Sequence, residues 1–280
     1  MNDTSINDTK KVFKQCGTCS QTFGHLLNRE FGYPKEAEVR ALDNLAGGIM
    51  NTGHQCGMLW GSALAIGAES YRRNNDLDKA TAIAVTATQQ IIESFYDRSK
   101  TISCREITGC DLNSVFGMMK FMLKITLKGM KNSQCFNLAE QWAPEAIETA
   151  KDGLTEKIEL NHKPLSCASE VVRKMGGSEE EIAMVAGFAG GLGLSGNACG
   201  ALSAAIWMKT LAWCREHPGK NPPYFNNPHA KEALKAFEDA TDSKFLCTEI
   251  SGHSFETIDD HSRFIKNGGC SELIEALVHS

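Results

Sequence analysis

Eleven cysteines stand in this chain of 280 residues, and most fall in two matching sets. Cys56-Gly57 follows Leu45-Ala46-Gly47-Gly48 and Asn51-Thr52-Gly53. Cys199-Gly200 follows Phe188-Ala189-Gly190-Gly191 and Leu194-Ser195-Gly196. The offset is 143 residues, and it also carries Cys104-Arg105-Glu106-Ile107-Thr108-Gly109 onto Cys247-Thr248-Glu249-Ile250-Ser251-Gly252. A duplicated cysteine framework points to sulfur chemistry. In a reducing compartment that means metal ligation or thiol redox exchange more often than structural disulfides. Met1 to Lys14 is polar and lacks the apolar core of a secretory signal, so the expected location is cytoplasmic.

The second set is Cys167, Cys199, Cys247 and Cys270. The first is Cys19 (or Cys16), Cys56, Cys104 and Cys135. Both are expected to gather around a common centre as metal-ligand candidates. The outer intervals differ, 37 against 32 residues and 31 against 23, as loops of unequal length would make them. Gly47, Gly48, Gly53, Gly190, Gly191 and Gly196 let the backbone turn tightly and approach a bound group, so these six are the cofactor-cradling candidates. Cys56 and Cys199 each open an apolar helix. Unsatisfied N–H groups and the helix dipole are expected to lower their pKa toward thiolate. Four other positions draw notice. Cys110 aligns with His253, a ligand exchange familiar at zinc and iron–sulfur sites. Cys214 aligns with Tyr71 and reads as packed core. His54 precedes Cys56 but aligns with Asn197. Cys16-Gly17-Thr18-Cys19 is a CxxC that reads as a redox pair or a split ligand; Ser20 follows it, not His, so covalent c-type haem is not supported.

Helical periodicity must position these sulfurs. Glu36–Leu45, Asp78–Tyr96, Ser114–Leu127, Glu179–Ala186, Cys199–Cys214 and His229–Ala240 read as helices, and strand signals are sparse. Asn44–Ala68 and Ile182–Met208 lack charged side chains but carry many glycines and polar groups, which suits buried helices better than membrane spans. Pro218–Pro228 reads as a long loop. The expected fold is mainly α, with two fused pseudo-symmetric helical units over 1–155 and 156–280. The net charge of −5 and the absence of a basic run argue against nucleic acid. Lys120 to Lys131 reads as one amphipathic helix with a solvated lysine face. Gly190-Gly191-Leu192-Gly193 lacks a preceding strand, so no dinucleotide fingerprint is present.

Each half resembles the redox-active C-GCAxxG-C-C family, small domains with four characteristic cysteines. Cys199-Gly200-Ala201-Leu202-Ser203-Ala204 matches its motif except for Ala in place of the last Gly. Cys56-Gly57-Met58-Leu59-Trp60-Gly61 keeps that Gly and has Met for Ala. The resemblance implies redox activity. Related cysteine domains occur in split-Soret cytochromes, and by that likeness each quartet would hold one iron–sulfur cluster. It implies an electron-transfer protein with a redox partner protein, and the fusion of two units suggests that single-unit relatives act as homodimers. Two other readings use the same sulfurs. One is thiol–disulfide oxidoreduction with Cys56 or Cys199 as nucleophile. The other is a zinc-stabilised helical interaction module, against which the long cysteine intervals argue.

Overall fold

The computed structural model describes residues 8–129, 132–160 and 162–280. The reading of Met1–Lys14 falls partly, and that of Lys131 wholly, outside them. The described chain is helical, with no strand beyond two isolated bridges. The first half runs α1 (Thr9–Cys16), α2 (Cys19–Glu30), α3 (Glu36–Arg40), a 3-10 turn at Asp43–Leu45, α4 (Gly57–Asn74), α5 (Leu77–Ser99), α6 (Cys104–Thr108), α7 (Val115–Lys128) and α8 (Gln134–Gly153). The second runs α9 (Cys167–Lys174), α10 (Glu179–Met184), a 3-10 turn at Ala186–Phe188, α11 (Gly200–Glu216), α12 (Pro228–Thr241), α13 (Cys247–Ser251), α14 (Ile258–Lys266) and α15 (Ser271–Val278). From α3/α10 to α7/α14 the elements pair in order, which makes the two halves pseudo-symmetric.

Local chemistry sets the helix starts. Ser178 and Glu181 form a reciprocal capping box on α10. Asp76 caps α5, and Asn227 caps α12 with Pro228 at its first position. The helix expected across Glu36–Leu45 ends at Arg40. There the ladder tightens, with Leu42 N–H donating to Val39 O, so that the chain can enter the glycine segment. In that segment Gly47, Gly48, Ile49, Met50 and Asn51 all have positive φ. Its counterpart Gly190, Gly191, Leu192, Gly193 and Leu194 does the same.

The two halves share one apolar core. They also cross-pack: α10 lies on α4 and α3 lies on α11. Trp60 meets Phe188 edge-on at 4.9 Å, and Trp207 Nε1 donates to Glu38 O. At the centre, buried Gln55 donates to Gly191 O (2.9 Å) and accepts from Ala198 N–H (3.2 Å), its own pseudo-symmetric counterpart. No described helix is long and apolar enough to cross a membrane. The uncharged windows are instead the buried surroundings of α4 and α11.

Gly67 of α4 packs tightly against Ala183 and Met184 of the other half. A Cβ there would lie 2.6 Å from Met184 O and 2.7 Å from Met184 Cα. Alanine is the better helix former by about 1 kcal/mol. Even so, Gly67→Ala is expected to destabilise the protein by roughly 1–3 kcal/mol through overpacking. The check is a lowered midpoint in thermal unfolding followed by circular dichroism.

Candidate functional site

Backbone pairing brings the inner cysteines together. Gln55 and Ser103 form an antiparallel bridge, as do Ala198 and Leu246. Cys56 N–H donates to Ile102 O (2.8 Å) and Cys104 N–H to His54 O (2.6 Å). Cys199 N–H donates to Phe245 O (3.0 Å) and Cys247 N–H to Asn197 O (2.6 Å). The outer cysteines come from helix starts. Cys19 and Cys167 are the first residues of α2 and α9, after extended Thr18 and Ser166. Cys19 rather than Cys16 therefore stands in the place of Cys167; Cys16 closes α1. Cys135 is the second residue of α8, and Cys270 caps α15 in a left-handed conformation.

In the second half the four thiols converge. Cys167, Cys199, Cys247 and Cys270 line one cavity with Ile250, Phe264 and His261. Its volume of ≈ 10 Å³ is room for about one water, so a larger occupant must spread these walls. In the first half the Cys56 thiol hydrogen-bonds to Cys19, and Cys56 feels the charge of Cys19, Cys104 and Cys135. Backbone N–H groups point at the outer sulfurs. Gly47 and Ser20 donate to Cys19; Gly190, Ala168 and Ala201 donate to Cys167. Among the described residues no three His, Cys, Asp or Glu side chains are disposed to hold a single metal ion.

The expectation of lowered pKa values at Cys56 and Cys199 is wrong. Contact with Cys19 and burial raise Cys56 well above the usual thiol range, and burial does the same to Cys199. The helix-start advantage survives only as one N–H bond, from Leu202 to Cys199. Desolvation outweighs it because both sulfurs are buried. Cys104 also rises, and Cys135, Cys247 and Cys270 are each pushed up to about 12, by burial above all. The thiol that falls is Cys19, chiefly through the bond from Cys56.

Of the six glycines, Gly47 and Gly190 face sulfur. Gly48 and Gly191 pack against the backbones of His54 and Asn197, and Gly53 and Gly196 against Arg105 and Thr248. Gly57 matters for another reason: a Cβ there would sit 2.7 Å from Cys19 Sγ. Cys110 is buried in a small cluster with Cys104 and Leu112, under Met118 and Phe121 of α7. Its aligned residue His253 is exposed and lies tilted against Phe264 (4.9 Å), and it does not line the thiol cavity. Cys214 is fully buried core. His54 stacks on Phe245 at 4.8 Å, and burial lowers its pKa. The lysine face expected on α7 is solvated at Lys120, which is exposed, and half-buried at Lys124. Lys120 and Lys124 reach back to the carbonyls of Gly109 and Thr108, while Val115, Phe116, Met119, Met122, Leu123 and Leu127 are exposed.

Several residues of the site carry no sequence signal. Tyr224, in the loop before α12, is close enough to Cys19, Cys104 and Asp43 for their charge to raise its pKa, after burial. Its hydroxyl donates to Asn51 Oδ1 (2.7 Å), and Asn44 Nδ2 donates to its carbonyl (3.1 Å). At the offset, Asp43, Asn44 and Asn51 become Ala186, Gly187 and Leu194. The first site is therefore polar where the second is apolar. His261, which lines the second cavity, aligns with Met118.

A family model described as putative redox-active protein (C_GCAxxG_C_C) matches the chain twice, over residues 17–148 and 165–279. No curated protein and no solved structure matches.

Asp43 gives a pH signature. Burial pushes its carboxyl up to about 7, with the Thr18 hydroxyl bond pulling the other way. A folded-state value above the unfolded one stabilises fully below pH ~4, and that contribution is lost as pH rises through about 7. Asp43→Asn keeps an acceptor for Thr18. Its thermal midpoint is expected to gain on the wild type between pH 4 and 8, measured by melts across that range.

Proposed function

The chain belongs to the C_GCAxxG_C_C family, twice over, and from that premise we propose that each half holds one iron–sulfur cluster and that the protein transfers electrons to a partner protein. The observation that supports this most is the meeting of Cys167, Cys199, Cys247 and Cys270 on one cavity from four separate elements. The donor chemistry fits. Four thiols and several backbone N–H groups are what iron–sulfur ligation and its tuning require, and apolar walls limit solvent. When bound, the cluster supplies the one-electron chemistry.

The chain's own residues do the rest. Cys19, Cys56, Cys104 and Cys135 hold the first centre, and Cys167, Cys199, Cys247 and Cys270 the second. Thiols kept protonated by burial must each lose a proton to become ligands, so loading releases protons. Gly47 and Gly190 place N–H groups on the outer sulfurs. Gly57 leaves Cys19 its space. All eleven cysteines are free thiols, which suits a reducing cytoplasm.

A second reading has one observation in its favour, the Cys56–Cys19 hydrogen bond. The Cys19 thiolate would attack a disulfide of the partner and release one thiolate. Cys56 would then attack the mixed disulfide, forming Cys19–Cys56 and releasing the second thiol. The nucleophile is Cys19, not Cys56 or Cys199.

Anaerobic purification with iron and sulfide analysis decides between the two. Iron and sulfide in both halves are expected, with visible absorbance that bleaches on dithionite. Cys199→Ser is expected to lose the second half's iron and keep the first half's. Colourless protein without iron after reconstitution, with two first-half thiols lost reversibly to an external disulfide, would leave only the exchange reading.

A further inference from the structure

The cavity that gathers the second set of thiols also takes in His261. This residue is 1% exposed, on the inner face of α14. Its Nδ1 lies 2.9 Å from Leu165 O. A carbonyl only accepts, so Nδ1 carries the proton and Nε2 holds a lone pair. Among the described residues nothing hydrogen-bonds to Nε2. The other polar side chain on the cavity, Ser251, is already engaged: its hydroxyl lies 2.7 Å from Cys247 O and 3.1 Å from His253 O. Phe255 packs edge-on against the imidazole at 5.0 Å and Leu165 N–H donates to Ser262 Oγ (2.8 Å), so the ring and its helix are held from both sides.

A neutral imidazole fixed by a backbone carbonyl at one nitrogen is the arrangement that metal-binding histidines use. Burial lowers the pKa of His261 to about 4, so the ring stays neutral at physiological pH. We propose that His261 is a nitrogen ligand of the metal centre in the second half, which makes that centre a mixed sulfur–nitrogen site beside an all-sulfur first site. The proposal rests on the iron–sulfur reading above. Nε2 takes one iron position in place of one of the four thiols, which keeps its proton, and the ring gives up none. In the first half Met118 occupies the same register and packs on Cys104 and Cys110, a thioether where the second half has an imidazole. Histidine ligation raises the potential of an iron–sulfur centre relative to all-cysteine ligation. The two halves are then unequal partners, with the second the better electron acceptor.

The test uses the full chain, reconstituted anaerobically with iron and sulfide and reduced with dithionite. Pulsed electron paramagnetic resonance compares unlabelled protein with protein carrying ¹⁵N-histidine. A strongly coupled nitrogen that responds to the label is expected in the wild type. It should vanish in His261→Met, where the four thiols remain to hold the cluster, and the second centre's midpoint should fall. His261→Asn, whose amide N–H can still reach Leu165 O, repeats the measurement if the Met variant folds poorly. Iron-loaded protein without a strongly coupled histidine nitrogen overturns the proposal, as does a coupling that survives both substitutions. Protein that takes up no iron overturns the cluster reading itself, and iron analysis separates that failure from the others.

Discussion

A left-handed turn holds each site together. Five consecutive residues take positive φ from Gly47 to Asn51, and five more from Gly190 to Leu194. Only Gly adopts this conformation freely; each side-chain-bearing residue there costs about 1–2 kcal/mol. Ile49, Met50, Asn51, Leu192 and Leu194 bear that cost because the segment is pinned at both ends. Gly53 N–H donates to Gly47 O, and Gly196 N–H to Gly190 O. The pinned turn aims the Gly47 and Gly190 amides at the outer sulfurs. It also delivers Gln55 and Ala198 to the bridges that seat the inner ones. Strain of this kind collects where a site must be shaped in advance.

Around this shared frame the two halves have drifted apart. At one position of the turn the first half has Asn51, held by Tyr224; the second has Leu194. Asp43 faces Thr18 where the second half has Ala186. Tyr224 reaches the first site only because Pro222, Pro223 and Pro228 replace what is continuous helix in α5. At those positions α5 has Lys79, Ala80 and Val85, so two turns of helix become a loop that crosses to the other half. The outer face of α7, apolar and exposed beside the first site, is a further departure from the shorter and more polar α14.

Cross-packing ties the two halves together. Each half covers the other's central helix with its own short one, α3 on α11 and α10 on α4. Neither central helix is complete as a core element without the opposite half. Arg40 reinforces this by donating to the carbonyls of Cys214 and His217.

The repeat, the helical class, the family and the two sets of thiols are legible in the residue order. They rest on glycine and cysteine spacing, which is local and periodic. Burial is not local, and it decided against the sequence at Cys56 and Cys199, where desolvation overrode the helix start. It likewise buried Cys110 beside Cys104 and left His253 outside, while helix position separated Cys19 from Cys16. Tyr224 and His261 could not be found from spacing because each is brought to its site by packing across long sequence separations. The chain order supplied the sulfurs and the turns. Only the tertiary fold determined which groups lie close enough to change what those sulfurs can do, since solvent exclusion and proximity arise between segments and not within them.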